Sequence, residues 1–180
     1  MVALYNPCMA CNAAGHHTHT VRTHTMARKG RQIMKNADLQ GVVFTGANLQ
    51  GAIFVNCDLT AAKFENATLL QACLVGCNLQ GANLSGARLQ GANLNYADLA
   101  GANLTNAVLN KIYLIGANLQ GADLSGANLQ GASLHNTNLQ GANLQGAKLS
   151  RAYLCGATLD GADLSGATLD GAYLPSTHTL

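Results

Sequence analysis

The chain has 180 residues, of which 48% are apolar, only 4% aromatic and only 10% charged, where an ordinary globular domain carries about 25% charged residues. No run of roughly 18 apolar residues occurs, so no membrane-spanning helix is expected. Net charge is +2, but residues 1–36 hold five basic residues and no acid, while the rest holds five basic and eight acidic ones; neither part joins basic charge to interleaved aromatics as a nucleic-acid surface would.

Residues 1–25 stand apart as a tail or leader. Cys8 and Cys11 form a Cys-x2-Cys pair, and His16, His17, His19 and His24 come after them. Cys8, Cys11, His16 and His19 together offer four zinc ligands, although the spacing is short and no apolar core surrounds them. No apolar stretch suits a secretory signal. Arginines without acids suit an organellar or lumenal targeting segment better, but the expected serines are missing. Residues 26–36 are expected to cap the region that begins at Ala37, with Met26 to Asn36 as a short helix weakened by Gly30.

From Ala37 to Pro175 one pattern holds. A central apolar residue recurs every five positions from Leu39 to Leu174, giving 28 centres, 25 Leu and three Phe. Two residues before each centre stands a small residue, Ala except at Val42, Cys57, Cys77, Ile112 and Thr137. Two residues after it, Gly predominates. Period five fits neither a helix nor a long strand. Each unit must be a short extended piece followed by a turn. Centre and small residue are two apart, so both point inward, and the Asp or Asn between them points outward. One unit buries nothing alone; stacked units bury a Leu ladder.

A(D/N)LxG repeated over residues 37–175 resembles the pentapeptide repeat family. The resemblance implies an all-β, right-handed four-sided parallel β-helix with four repeats per coil, hence about seven coils. Residues 176–180 remain as a short C-terminal tail, which leaves the last coil's edge open to association.

The outward residues beside each centre support a 20-residue coil independently of that resemblance. Sorted into four columns from Leu39, ten of their 14 apolar members fall in the fourth. They are Ile53, Val55, Cys73, Val75, Tyr113, Ile115, Tyr153, Cys155, Tyr173 and Pro175. Asn93 with Asn95, and Ser133 with His135, interrupt the row. An apolar stripe along one side marks a partner surface, with tyrosines as its anchors, unless the flat sheet merely favours such residues for strand packing.

Cys57 and Cys77 are expected inside, one coil apart, as free thiols. Cys73 and Cys155 are expected on the apolar side. Six cysteines in a solenoid with its own core imply no disulfide framework, so a reducing, cytoplasmic location is expected. The Gly spacing before Lys148 is the repeat and not a phosphate loop. His135 has no acid or nucleophile fixed beside it, and a Leu-filled prism offers no catalytic cleft. The expected function is a non-catalytic scaffold without cofactor, acting through its faces on a protein partner or a second copy. The family resemblance implies an alternative, a DNA-mimicking binder of DNA gyrase, which low negative charge disfavours. Metal binding by the N-terminal Cys/His tail is a second alternative.

Overall fold

The structure, a computed structural model, describes residues 32–175. Every fifth residue pairs in parallel with the residue 20 positions on, from Asp38 with Asp58 to Tyr153 with Tyr173. Four such ladders run side by side, so the chain winds as a four-sided solenoid with 20 residues per coil. Faces one to four are numbered by the centres Leu39, Phe44, Leu49 and Phe54.

Backbone hydrogen bonds tie each coil to its neighbours: Leu104 N–H donates to Asp123 O at 2.7 Å, and Asn103 N–H to Ala82 O at 2.9 Å. The centres and small residues line the inside. Leu59 to Leu154 are almost fully buried, as are the alanines between them. All three Phe lie near the N-terminal end, where Phe44 stacks on Phe64 at 5.1 Å and meets Phe54 edge-on at 6.0 Å. Cys57 and Cys77 are buried as expected. Their thiols donate to carbonyls of the preceding coil, Met34 O at 3.5 Å and Phe54 O at 3.3 Å. Thr137, also at a small position, donates to Leu114 O at 2.8 Å, so this buried hydroxyl is satisfied.

The preference for Asp or Asn before each centre has a local cause. Their Oδ1 atoms accept the N–H two residues on, as in Thr60 N–H to Asp58 at 3.0 Å and Ser125 N–H to Asp123 at 2.9 Å. This side-chain turn closes the unit in 14 of the repeats in place of a backbone partner.

The corners follow a rule that the period alone does not reveal. Every fifth residue from Asn36 to Gly171 has a positive φ, 18 glycines and ten others. Nine of those ten are followed one coil later by Gly, Asn36 being the exception. The reason is visible at Tyr96, whose ring lies over Gly116; a Cβ there would sit 2.9 Å from two ring carbons. A side chain leaving a left-handed corner runs along the rod and occupies the space above the next corner.

Two expectations are corrected. Of the helix expected over Met26 to Asn36, residues 26–31 lie outside the described residues; residues 33–35 are not helical, and no helix occurs among the described residues. Instead β1, Ile33–Lys35, pairs in parallel with β2, Ile53–Val55, in register Ile33 with Ile53 and Met34 with Phe54. Met34 is thus one further centre, and β1 adds a rung to face four. A rung that hydrogen-bonds the first coil satisfies more backbone than a helix laid across it. Second, Pro175 is buried and so adds nothing to the exposed stripe. At the other end of the core, Ala162, Leu164, Ala167, Leu169, Ala172 and Leu174 are only partly buried, as an edge coil with a neighbour on one side must be.

Candidate interaction face

Face four brings the stripe together. Parallel bridges link Ile53, Cys73, Asn93, Tyr113, Ser133, Tyr153 and Tyr173 in one ladder, and Ile33 extends it at the start. Val55, Val75, Ile115 and Cys155 fall on the second outward row of the same face. Ile53, Val55, Cys73, Val75 and Ile115 are half-buried, while Ile33 at the start and Tyr113, Tyr153, Cys155 and Tyr173 further on are exposed. Tyr153 and Tyr173 stack nearly parallel, with centroids 4.9 Å apart and planes within 3°.

This face, like face three, largely forgoes the turn that closes faces one and two. Asx oxygens accept the N–H two residues on eleven times on faces one and two and twice on face three, at Asn48 and Asn128. On face four only Asn93 does so, at 3.0 Å from Asn95 N–H. Ile115 N–H is held instead by Asn95 Oδ1 of the previous coil at 2.8 Å. Each turn given up forfeits about 0.5–1.5 kcal/mol of net hydrogen bonding. Apolar side chains on an exposed sheet do not by themselves recover that.

Charge is also sorted by face. Asp38, Asp58, Asp98 and Asp160 lie on face one; Glu65, Asp123 and Asp163 lie on face two with Lys63. Face three carries Arg88, Lys148 and Asp170, and the corner between faces three and four carries Lys111 and Arg151. Asp58 is held below the usual carboxylate range by hydrogen bonds from the Thr60 hydroxyl and N–H and from Gln40. Asp163 is lowered likewise by Ser165. These carboxylates therefore stay ionised in mild acid.

A Leu-filled prism was expected to offer no cleft, but face four is not flat throughout. Lys111, Tyr113, Gly131, Ser133, His135, Arg151 and Tyr153 line an open groove there, floored by Ile112. It exists because Gly131 and Ser133 put small residues between larger ones on either side, Lys111 and Arg151 in one row and Tyr113 and Tyr153 in the other. Lys111, Gly131, Ser133, His135 and Arg151 were absent from the sequence-derived stripe. Their signal lay in the corner column and in the interruptions, which a search for apolar residues passes over. The metal set Cys8, Cys11, His16 and His19 lies outside the described residues. Within the described residues no cluster of metal-ligating side chains occurs.

A coil of 20 with Leu centres and Asx turns defines a class. The pentapeptide repeat profile matches eight copies over residues 37–74, 72–110, 109–146 and 137–174. The chain belongs to the pentapeptide repeat family, and its solenoid is the right-handed β-helix of that family.

Among solved structures it is similar to the pentapeptide repeat protein Rfr23 from the cyanobacterium Cyanothece 51142. Identity is 44%, coverage 51% of this chain and 63% of that one, and TM-score 0.51. The chain thus matches less than two thirds of that relative's length. It is also similar to QnrB1, a plasmid-mediated fluoroquinolone resistance protein, at 18% identity, covering 81% of this chain and 91% of that one with TM-score 0.55. That likeness is one of fold. No curated protein sequence matches the chain.

Proposed function

We propose that the chain is a non-catalytic interaction scaffold that meets its partner along face four. The observation that carries this reading is the gathering of outward apolar side chains, with the exposed Tyr113, Tyr153 and Tyr173 among them, on one side only. A second copy of the chain is the partner that the charge pattern favours. Two rods set parallel about a twofold along their length would place Lys111 of the basic corner against the partner's edge at nearly the height of Asp98. Antiparallel rods would set basic corner on basic corner. The ladder from Ile33 to Tyr173 spans seven coil steps, about 34 Å at strand spacing. A strip this narrow is at the low end of interface sizes, so pairing in the micromolar range is expected.

Sedimentation equilibrium tests this. The wild type should show a concentration-dependent dimer, and Tyr153→Asp with Tyr173→Asp should shift it to monomer without changing the melting temperature by more than about 2 °C, as expected of exposed sites. A wild type that stays monomeric to high micromolar concentration, or a double variant that still dimerises, contradicts the reading.

Gyrase binding by DNA mimicry finds one favourable observation, the gathering of seven of the eight acids on faces one and two. Along about 34 Å that is one charge per roughly 5 Å, against one per about 1.7 Å for duplex DNA. The density supports face-four recognition over mimicry.

A further inference from the structure

The most exposed large hydrophobic side chain among the described residues lies outside the apolar stripe. Tyr96 is 69% exposed, more than Tyr113, Tyr153 or Tyr173, and it stands at the corner between faces four and one. The other corners along that edge are Asn36, Asn56 and Asn136, and Gly76, Gly116 and Gly156. All have a positive φ, 60° at Tyr96, a conformation that glycine and asparagine adopt readily and a bulky aromatic does not. Local conformation gives no reason for a tyrosine here, and a residue held against its preference points to a role outside the fold.

The ring is also held in place. It lies over Gly116, where a Cβ would sit 2.9 Å from two ring carbons, so one flank packs on backbone while the rest faces water. The Tyr96 N–H donates to Ile115 O at 3.0 Å, which sets the ring at the border of face four. An aromatic side chain fixed before binding loses little entropy on contact, as suits an interface anchor.

The face-four dimer gives this ring a counterpart. A twofold along the rod keeps every residue at its own height and sets the corner before face four against the partner's corner after it. Lys111 is the cation on the first of these corners. It precedes Gly116 by a quarter of a coil, so about 1 Å of height separates it from the level of the partner's Tyr96 ring. Its stem runs up the rod over Gly131, with Cγ 3.7 Å from where a Cβ would be. An ammonium within about 6 Å of the ring centroid makes a cation–π contact. The nearby carboxylate, Asp98, already accepts from Gln80, Asn118 and Ala100 N–H, which leaves the ring as the open acceptor at that edge.

We propose that Tyr96 is an anchor of the dimer interface, its ring receiving the Lys111 ammonium of the second copy at both edges of face four. The contact rests on the face-four reading, and it extends that interface beyond the stripe to the corner.

Sedimentation equilibrium on the full chain tests it. Tyr96→Asn supplies the residue found at three other corners of that edge, so it should leave the melting temperature unchanged or raise it. The dimer should weaken about tenfold, since symmetry removes two cation–π contacts of modest strength. Lys111→Gln should weaken it by a similar factor, and the combined variant no further than either alone, as coupled partners require. Tyr96→Phe should keep the wild-type affinity, because the ring face and not the hydroxyl makes the contact. A wild type that stays monomeric contradicts the face-four reading and this contact with it. A wild-type dimer whose affinity is unchanged by Tyr96→Asn, or losses that multiply in the combined variant, overturns the contact alone.

Discussion

Leu104→Asp should cost about 5 kcal/mol or more and split the rod in two. Leu104 is a face-two centre, 2% exposed, and the ladder places it between Leu84 and Leu124. Removing it forfeits roughly 1.5–3 kcal/mol of burial. The carboxylate brought in has no cation inside the prism, so several kcal/mol of uncompensated charge burial add to that. In a solenoid each coil contacts only its neighbours, so a broken middle coil uncouples the halves. Urea unfolding should show a lower midpoint and a shallower or two-step transition. Leu164→Asp, in the partly exposed last coil, should cost far less, because its carboxylate can reach water. Equal midpoints for wild type and Leu104→Asp would mean that the inside and outside of the rod are wrongly assigned.

Alkaline pH should destabilise the protein through one buried thiol. Burial pushes the Cys77 thiol up to about 12, against a smaller lowering by the Cys57 backbone. Its proton is engaged with Phe54 O at 3.3 Å, and a thiolate there would face that carbonyl unsolvated. In the unfolded chain the thiol ionises near pH 9. Above that pH the unfolded state binds fewer protons than the folded one, so stability falls as pH rises, by about 1.4 kcal/mol per unit. Relative to Cys77→Ala, which supplies the residue found at most small positions, the wild type should lose about 2.3 kcal/mol between pH 9 and pH 11. Below pH 8 the two curves should run parallel. Curves that remain parallel to pH 11 would show that Cys77 ionises freely in the folded state.

The period made the inside of the rod legible, because each centre and small residue obeys a single constraint, burial. Cys57, Cys77 and Thr137 could be placed inside on that basis alone. The coil of 20 was legible in the outward residues, since Tyr113, Tyr153 and Tyr173 share a face only at that length. What stayed hidden depends on contacts between coils and not on position in the repeat. Gly116 looks like any other repeat glycine; only the ring of Tyr96 above it shows why that corner must lack a Cβ. Ser133 and Gly131 looked like interruptions, and they are a groove because of what stands one coil before and after. Ile33, Met34 and Lys35 suggested a helix by local propensity, but the open edge of β2 offered hydrogen bonds that decided for a strand. The sorting of Asp38, Asp58 and Asp98 onto one face was present in the sequence, yet net charge summed over the rod averages it away.

Cys155 supplies the most direct test of face four, being an exposed thiol beside Tyr153. Its labelling rate with a maleimide, read by peptide mass spectrometry across protein concentration, should fall as the dimer forms. The rate should stay constant in the Tyr153→Asp, Tyr173→Asp variant. Association with Cys155 as reactive in the dimer as in the monomer would place the interface on another side of the rod.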